Sequence, residues 1–416
     1  TDSPVRAQEV AEASETVVDL RDEPPSLELT PGSERPTLVY QPGLDGLRGL
    51  AVAGVLLFHG GFSWAVGGYL GVSTFFTLSG FLITSLLLRE REATGTISLK
   101  AFWGRRLRRL MPASLLALAG IVLYGLLVAD QGQLDDLRGD VLAALAYVAN
   151  WRFILQDQSY ADLFTSPSPV QHFWSLAIEE QFYFVFPLLT AGVLAVARGG
   201  RRVLMLVLGA GALASTLLMV GLHEPGLDTT RVYYGTGTRA AELLVGALLA
   251  TVLAGYPLRP GPLGRRLLVV AGGAALALTL WWWSTVSQAE TWLYEGGFTV
   301  YALLSALIIV VATTPGPWRR LLSAEPLRQL GRISYGVYVY HWPIFLWLSP
   351  ERTGLSPWPL FTLRVAVTLA VSIASFRLLE QPVRHGRRVT EWRRWAGPPL
   401  AVAGVALAAV VVTAVV

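Results

Sequence analysis

Twelve apolar segments of about 20 residues recur along this chain, near 47–63, 69–89, 110–130, 139–156, 174–197, 202–222, 237–256, 265–286, 296–314, 331–349, 359–380 and 396–416. A helix of about 20 residues crosses the roughly 30 Å hydrocarbon core of a bilayer. A chain that repeats such segments reads as an all-α polytopic membrane protein. Composition agrees: 53% of residues are hydrophobic and 15% charged, against about 25% charged in an ordinary soluble domain. Cysteine is absent, which excludes disulfides, thiolate metal ligands and a cysteine acyl-enzyme. Neither a metal nor a nucleic-acid partner is expected.

Basic residues orient the segments, because lysine and arginine collect in cytoplasmic loops. The stretch 89–109 holds seven of them and 198–202 holds three. If 139–156 crossed the membrane, these two stretches would fall on opposite sides. That segment is short and is interrupted by Asn150 and Arg152, so it reads as an outer-face re-entrant or interfacial helix. The remaining eleven spans place 22 basic residues in inner loops and five (Arg138, Arg152, Arg231, Arg239 and Arg352) in outer ones. The expectation is a multi-pass membrane protein with a cytoplasmic N-terminus and an extracytoplasmic C-terminus.

Three regions follow. Residues 1–43 carry nine acids against three arginines, with prolines and no apolar periodicity, and read as a disordered acidic cytoplasmic tail. Residues 44–390 form a ten-span domain, and 391–416 an eleventh span that could lead to a further extracytoplasmic domain. No inverted repeat of the transporter kind is visible.

Ionisable groups inside a membrane are costly and are functional by default. Arg48 and His59 are eleven residues apart in the first span, which on a helix is about 16 Å of rise and three turns, so they share a face. A buried histidine is most simply a packed residue bonded to a backbone carbonyl. Here an arginine on the same face and the lipid setting favour a functional role. Glu179 and Glu180 lie in the fourth span and point about 100° apart, so they are not expected to share one role. His341 stands in "HWP", which also fits a kinked, packed helix. Arg239 and Glu242 have the i, i+3 spacing of an ion pair. Ser79 and Gly80 suit close helix packing, and no base for a serine nucleophile is evident nearby in sequence. Arg105, Arg106, Arg108 and Arg109 crowd the inner mouth of the third span with no evident acidic partner beyond Asp45. Together with Arg48 they suit an anionic ligand or the headgroups of membrane lipids.

In order along the chain come "LDGLRGLAVAGVLLFH", "FFTLSGFLI", "RRLRRLMP", "FWSLAIEEQFY", "RAAELLVGALLA", "GRISYGVYVYHWP" and "EQPVR". With these motifs the chain resembles the membrane-bound acyltransferase-3 family over roughly residues 42–390. The resemblance implies a ten-span acyltransferase core. It also implies transfer of an acyl group, with acetyl expected, from cytoplasmic acyl-CoA to a hydroxyl of an extracytoplasmic carbohydrate or glycolipid. Acyl-CoA is then a co-substrate and no cofactor is tightly bound. Members with an eleventh span carry an external SGNH-type domain. By the same resemblance His59 and Glu179 are the catalytic candidates, and Arg48, Arg105, Arg106, Arg108 and Arg109 the acyl-CoA-binding ones. Asp45, Ser79, Glu180, Tyr183, Arg239, Glu242 and His341 are the candidates for supporting the acceptor or the active site. The reading from another class is a proton-coupled exporter of a glycan or lipid, with His59, Glu179 and His341 as its relay.

Overall fold

Proline begins the first helix. In the computed structural model, described over residues 40–127, 131–156, 168–197, 200–385 and 402–410, α1 spans Pro42–His59 with Pro42 in its first turn. A helix start does not need the N–H that proline lacks, so α1 opens ahead of its apolar run. Two short turns, Ser63–Ala65 and Gly68–Leu70, lead into α2 (Gly71–Thr94). There Gly95, at φ 75°, supplies the left-handed residue that closes a helix. α3 runs over Leu99–Leu127. The basic stretch 89–109, expected as a loop, is therefore mostly helix, and its arginines project from fixed helical positions.

The segment expected as one helix near 139–156 is a broken pair, α4 (Gln131–Leu145) and α5 (Ala149–Leu155). The break falls at Tyr147, whose φ is 55°. Polar bonds hold it there. Gln181 donates to the Tyr147 carbonyl at 2.8 Å, and Asn150 donates to the Tyr234 carbonyl and to Thr236 Oγ1, both at 3.0 Å. Arg152 pairs with Asp140 at 2.6 Å. The residues that interrupt the apolar run are those that anchor the break.

Seven further long helices follow: α6 (Phe173–Val196), α7 (Gly200–Leu222), α8 (Thr236–Gly255), α9 (Pro262–Thr285), α10 (Phe298–Thr313), α11 (Glu325–Trp347) and α12 (Pro357–Ser375). No strand occurs among the described residues. Eight segments, those containing α2, α3, α6, α7, α8, α9, α10 and α12, are long and apolar enough to cross a membrane. The protein is an all-α polytopic membrane protein. α1 and α11 are the two of the ten long helices not among these eight. They pack along each other, and most of α1 is buried.

That packing depends on small residues, since helices in lipid associate by close van der Waals fit. A Cβ on Gly331 of α11 would lie 1.7 Å from the Asp45 carbonyl oxygen of α1. Between α2 and α8 the fit is reciprocal: a Cβ on Gly80 would lie 1.8 Å from the Leu243 carbonyl oxygen, and one on Gly246 1.9 Å from that of Thr77. Gly80 therefore lets two backbones touch. The acidic tail as far as residue 39 lies outside the described residues, and so does most of the expected eleventh span. Within that span residues 402–410 are helical, with Ala409 buried in the main hydrophobic cluster.

Candidate active site

One line of side chains on α6, Ser175, Glu179 and Tyr183, is spaced by four residues and so occupies a single helix face. It forms a wall of a cavity of about 690 Å³, counting its open mouth. α1 contributes Arg48, α2 contributes Ser79, α3 contributes Arg106 and Arg109, and α11 contributes Ser334 and Tyr338. Arg48 Nε donates to Ser334 Oγ at 3.2 Å. Arg106 lies over the Tyr183 ring, 5.0 Å from its centroid. The cavity is thus cationic toward the arginine end of α1, polar along the α6 line, and apolar on its α2 side, where Val72, Phe75, Phe76, Leu78 and Leu82 line it.

Ser79 Oγ donates to Glu179 Oε1 and is also bonded to the Tyr183 hydroxyl at 2.9 Å. The acceptor of the Ser79 hydroxyl is thus a carboxylate on a helix 100 residues away. Glu180 does not line the cavity.

The histidines lie beyond its far end. Tyr338 lines the cavity on that side, its hydroxyl bonded to Ser175 Oγ at 2.6 Å and to the His172 carbonyl at 3.0 Å. Three residues further along α11, about 4.5 Å of rise, His341 is fully buried. Its Nε2 is 3.2 Å from His59 Nδ1, and its Nδ1 is 2.5 Å from the Tyr338 carbonyl oxygen. His59 is the last residue of α1, with Nδ1 also 3.0 Å from the Val55 carbonyl oxygen. Trp342 covers the pair, 4.8 Å from the His59 ring, and donates to the Ser168 carbonyl at 3.0 Å. Glu179 bonds Ser79 and Tyr183 rather than either histidine.

Two prolines explain two of the cross-helix bonds. A helical proline cannot donate to the carbonyl four residues back. Pro343 therefore releases the Val339 carbonyl, which His172 Nε2 takes at 2.9 Å. Pro187 releases the Tyr183 carbonyl, which Trp103 Nε1 takes at 3.0 Å. The kinks bind α11 to the start of α6, and α6 to α3.

Other candidates lie elsewhere. Arg105 does have an acidic partner, Glu90, at 3.2 Å, contrary to the expectation that the cluster has none beyond Asp45. Arg108 is exposed, and neither it nor Arg105 lines the cavity. Asp45 does not line the cavity: its backbone lies against Gly331 and its side chain is bonded to Tyr40. Arg239, expected in an outer loop, is buried near the start of α8, paired with Glu242 at 2.7 Å with both side chains 1% exposed. Its guanidinium also donates to Ser73 Oγ and lies 4.1 Å from the centroid of the Phe298 ring. The pair is a core bolt behind the cavity wall. Sequence reasoning passed over His172, Ser175, Ser334 and Tyr338. The available signal was their spacing: His172 stands seven residues, two turns, before Glu179, and Ser334 seven before His341.

A family model described as an acyltransferase domain, of the acyltransferase-3 type, matches residues 41–377. The chain belongs to the acyltransferase-3 family. It is 39% identical over 350 residues to the peptidoglycan O-acetyltransferase OatA of Listeria monocytogenes, covering 83% of this chain and 56% of that protein. It is 38% identical over 355 residues to YrhL of Bacillus subtilis, provisionally named as a peptidoglycan O-acetyltransferase, covering 83% and 55%. The chain thus spans little more than half the length of these acyltransferase-3 relatives. No solved structure matches it.

Proposed function

We propose that this protein is an O-acyltransferase that moves an acetyl group from acyl-CoA to a hydroxyl of a cell-wall glycan. The observation that carries the reading is the cavity itself. It runs from Arg48, Arg106 and Arg109 to Ser175 and Tyr338, the latter three residues short of His341 in the His341–His59 pair. Acyl-CoA is shaped for such a path. Its phosphates cannot enter hydrocarbon and suit guanidinium groups, while its pantetheine arm extends the thioester toward mid-membrane. The concentration of basic residues at the arginine end supports a cytoplasmic donor. The relatives named for peptidoglycan O-acetylation support a glycan acceptor, which then approaches His59 from the other side.

In this reading His59 is the general base, a task suited to imidazole. It takes the proton of the acceptor hydroxyl as that oxygen attacks the thioester carbonyl. The C–S bond then breaks, and the departing thiolate of coenzyme A receives the proton from His59. Standing at the C-terminal end of α1, the imidazolium formed on the way is favoured by the helix dipole.

Calorimetry in detergent tests the donor. Each hydrogen bond to a charged group contributes about 1.5–3 kcal/mol, so losing one phosphate contact should weaken binding roughly 10- to 150-fold. Coenzyme A should bind more tightly than dephospho-coenzyme A. Arg106→Ala or Arg109→Ala should erase that difference, whereas Arg105→Ala should preserve it. Failure of the parent protein to bind either ligand would overturn the donor assignment.

A further inference from the structure

The hydrogen bonds around the two histidines constrain where their protons sit. A carbonyl oxygen only accepts, so each ring nitrogen facing one must carry hydrogen. His341 Nδ1 faces the Tyr338 carbonyl oxygen at 2.5 Å, and His59 Nδ1 faces that of Val55 at 3.0 Å. Both Nδ1 atoms are therefore donors. The third contact, His341 Nε2 to His59 Nδ1 at 3.2 Å, then has one consistent polarity. His59 Nδ1–H is shared between the Val55 carbonyl and His341 Nε2, which accepts. The opposite polarity would set a bare nitrogen of His59 against the Val55 oxygen. A neutral His341 with hydrogen on Nδ1 satisfies all three contacts together.

We infer that His341 is a positioning residue, holding His59 as the Nδ1–H tautomer so that Nε2 carries the lone pair that removes the acceptor's proton. This rests on the acyltransferase reading above. In it, the Tyr338 carbonyl, His341 and His59 form a chain in which each member orients the next, the logic of a base held by a third group. No proton passes to His341. It accepts from His59 Nδ1–H throughout, and this bond strengthens when Nε2 becomes protonated and the ring gains its charge. The packing leaves the ring little freedom: His341 is fully buried, and Trp342 and Phe345 flank it at ring distances of 6.5 and 5.7 Å. The role of "HWP" follows from both residues. Pro343 bends α11 and releases the Val339 carbonyl to His172, while His341 uses the turn just before the bend.

Nitrogen-15 spectra of the whole protein in lipid, labelled at histidine and assigned through single substitutions, test the tautomers without reference to turnover. The inference predicts His59 and His341 as Nδ1–H forms, the minor tautomer of free histidine, and His172 as Nε2–H. An Nε2–H signal for His341, or for His59, would overturn it. Kinetics test the role. His341→Leu should lower kcat roughly 10- to 150-fold, the loss of one bond to a charged group, with KM for acyl-CoA unchanged. His341→Gln, whose amide oxygen can accept from His59 Nδ1, should recover much of that loss. Unchanged kcat in His341→Leu, or equal losses in the two variants, would overturn the positioning role. If no variant or parent transfers acyl groups while the tautomers are as stated, it is the acyltransferase reading that fails.

Discussion

Arg239→Met should destabilise the protein strongly, and a second substitution should largely repair it. In the parent, Glu242 is 1% exposed and accepts from Arg239 Nε at 2.7 Å and from NH2 at 3.3 Å. Removing the guanidinium leaves a buried carboxylate without its countercharge, a loss of about 3–5 kcal/mol. Loss of the contact with the Phe298 ring at 4.1 Å adds up to about 2 kcal/mol. In Arg239→Met with Glu242→Leu the orphaned charge is gone, and an apolar replacement of a buried pair is often neutral. The double variant should therefore be more stable than Arg239→Met alone by most of the ion-pair contribution. Unfolding of the detergent-purified protein, followed by tryptophan fluorescence, measures the cycle. Because neither side chain lines the cavity, the double variant should also bind coenzyme A like the parent. A double variant as unstable as the single would refute the core-bolt account, and a stable double variant that no longer bound coenzyme A would return the pair to the site.

Two further outcomes follow from the structure and the charge distribution. Trp103→Phe leaves the Tyr183 carbonyl, released by Pro187, without its donor, at a cost of about 1–3 kcal/mol; an unchanged unfolding midpoint would show that the kink needs no cap. The excess of basic residues in the expected inner loops predicts that cysteine at Gly199 is shielded from an impermeant thiol reagent in intact cells, whereas cysteine at Asp228 reacts. The reverse labelling would invert the topology, and the cysteine-free parent gives a clean background.

The sequence was most informative where periodicity within one helix carries the information. All ten long helices were visible as apolar runs, but α1, α3 and α11 begin ahead of theirs. Charged residues dilute their first turns: Asp45 and Arg48 in α1, Arg105, Arg106, Arg108 and Arg109 in α3, and Glu325 and Arg328 in α11. The eleven-residue interval from Arg48 to His59 also placed both on one face. What could not be read is contact between helices far apart in sequence. Ser79 meets Glu179 across 100 residues, and His59 meets His341 across 282. No spacing rule reaches that far. The arginine cluster failed for a different reason. Read as a loop, its five members with Arg48 were equivalent; as part of α3, helix phase turns Arg106 and Arg109 into the cavity and gives Arg105 to Glu90. His172 was legible in principle, since a proline in "HWP" leaves a carbonyl that some buried donor must satisfy.

The most direct test of the account is acetyl transfer by the purified protein in proteoliposomes, with labelled acetyl-CoA on the arginine side and a glycan acceptor on the other. The parent should release coenzyme A and label the acceptor. His59→Ala should do so about 10²–10⁴-fold more slowly, the usual contribution of a general base, while binding acetyl-CoA with parental affinity. Near-parental turnover by His59→Ala would contradict the account.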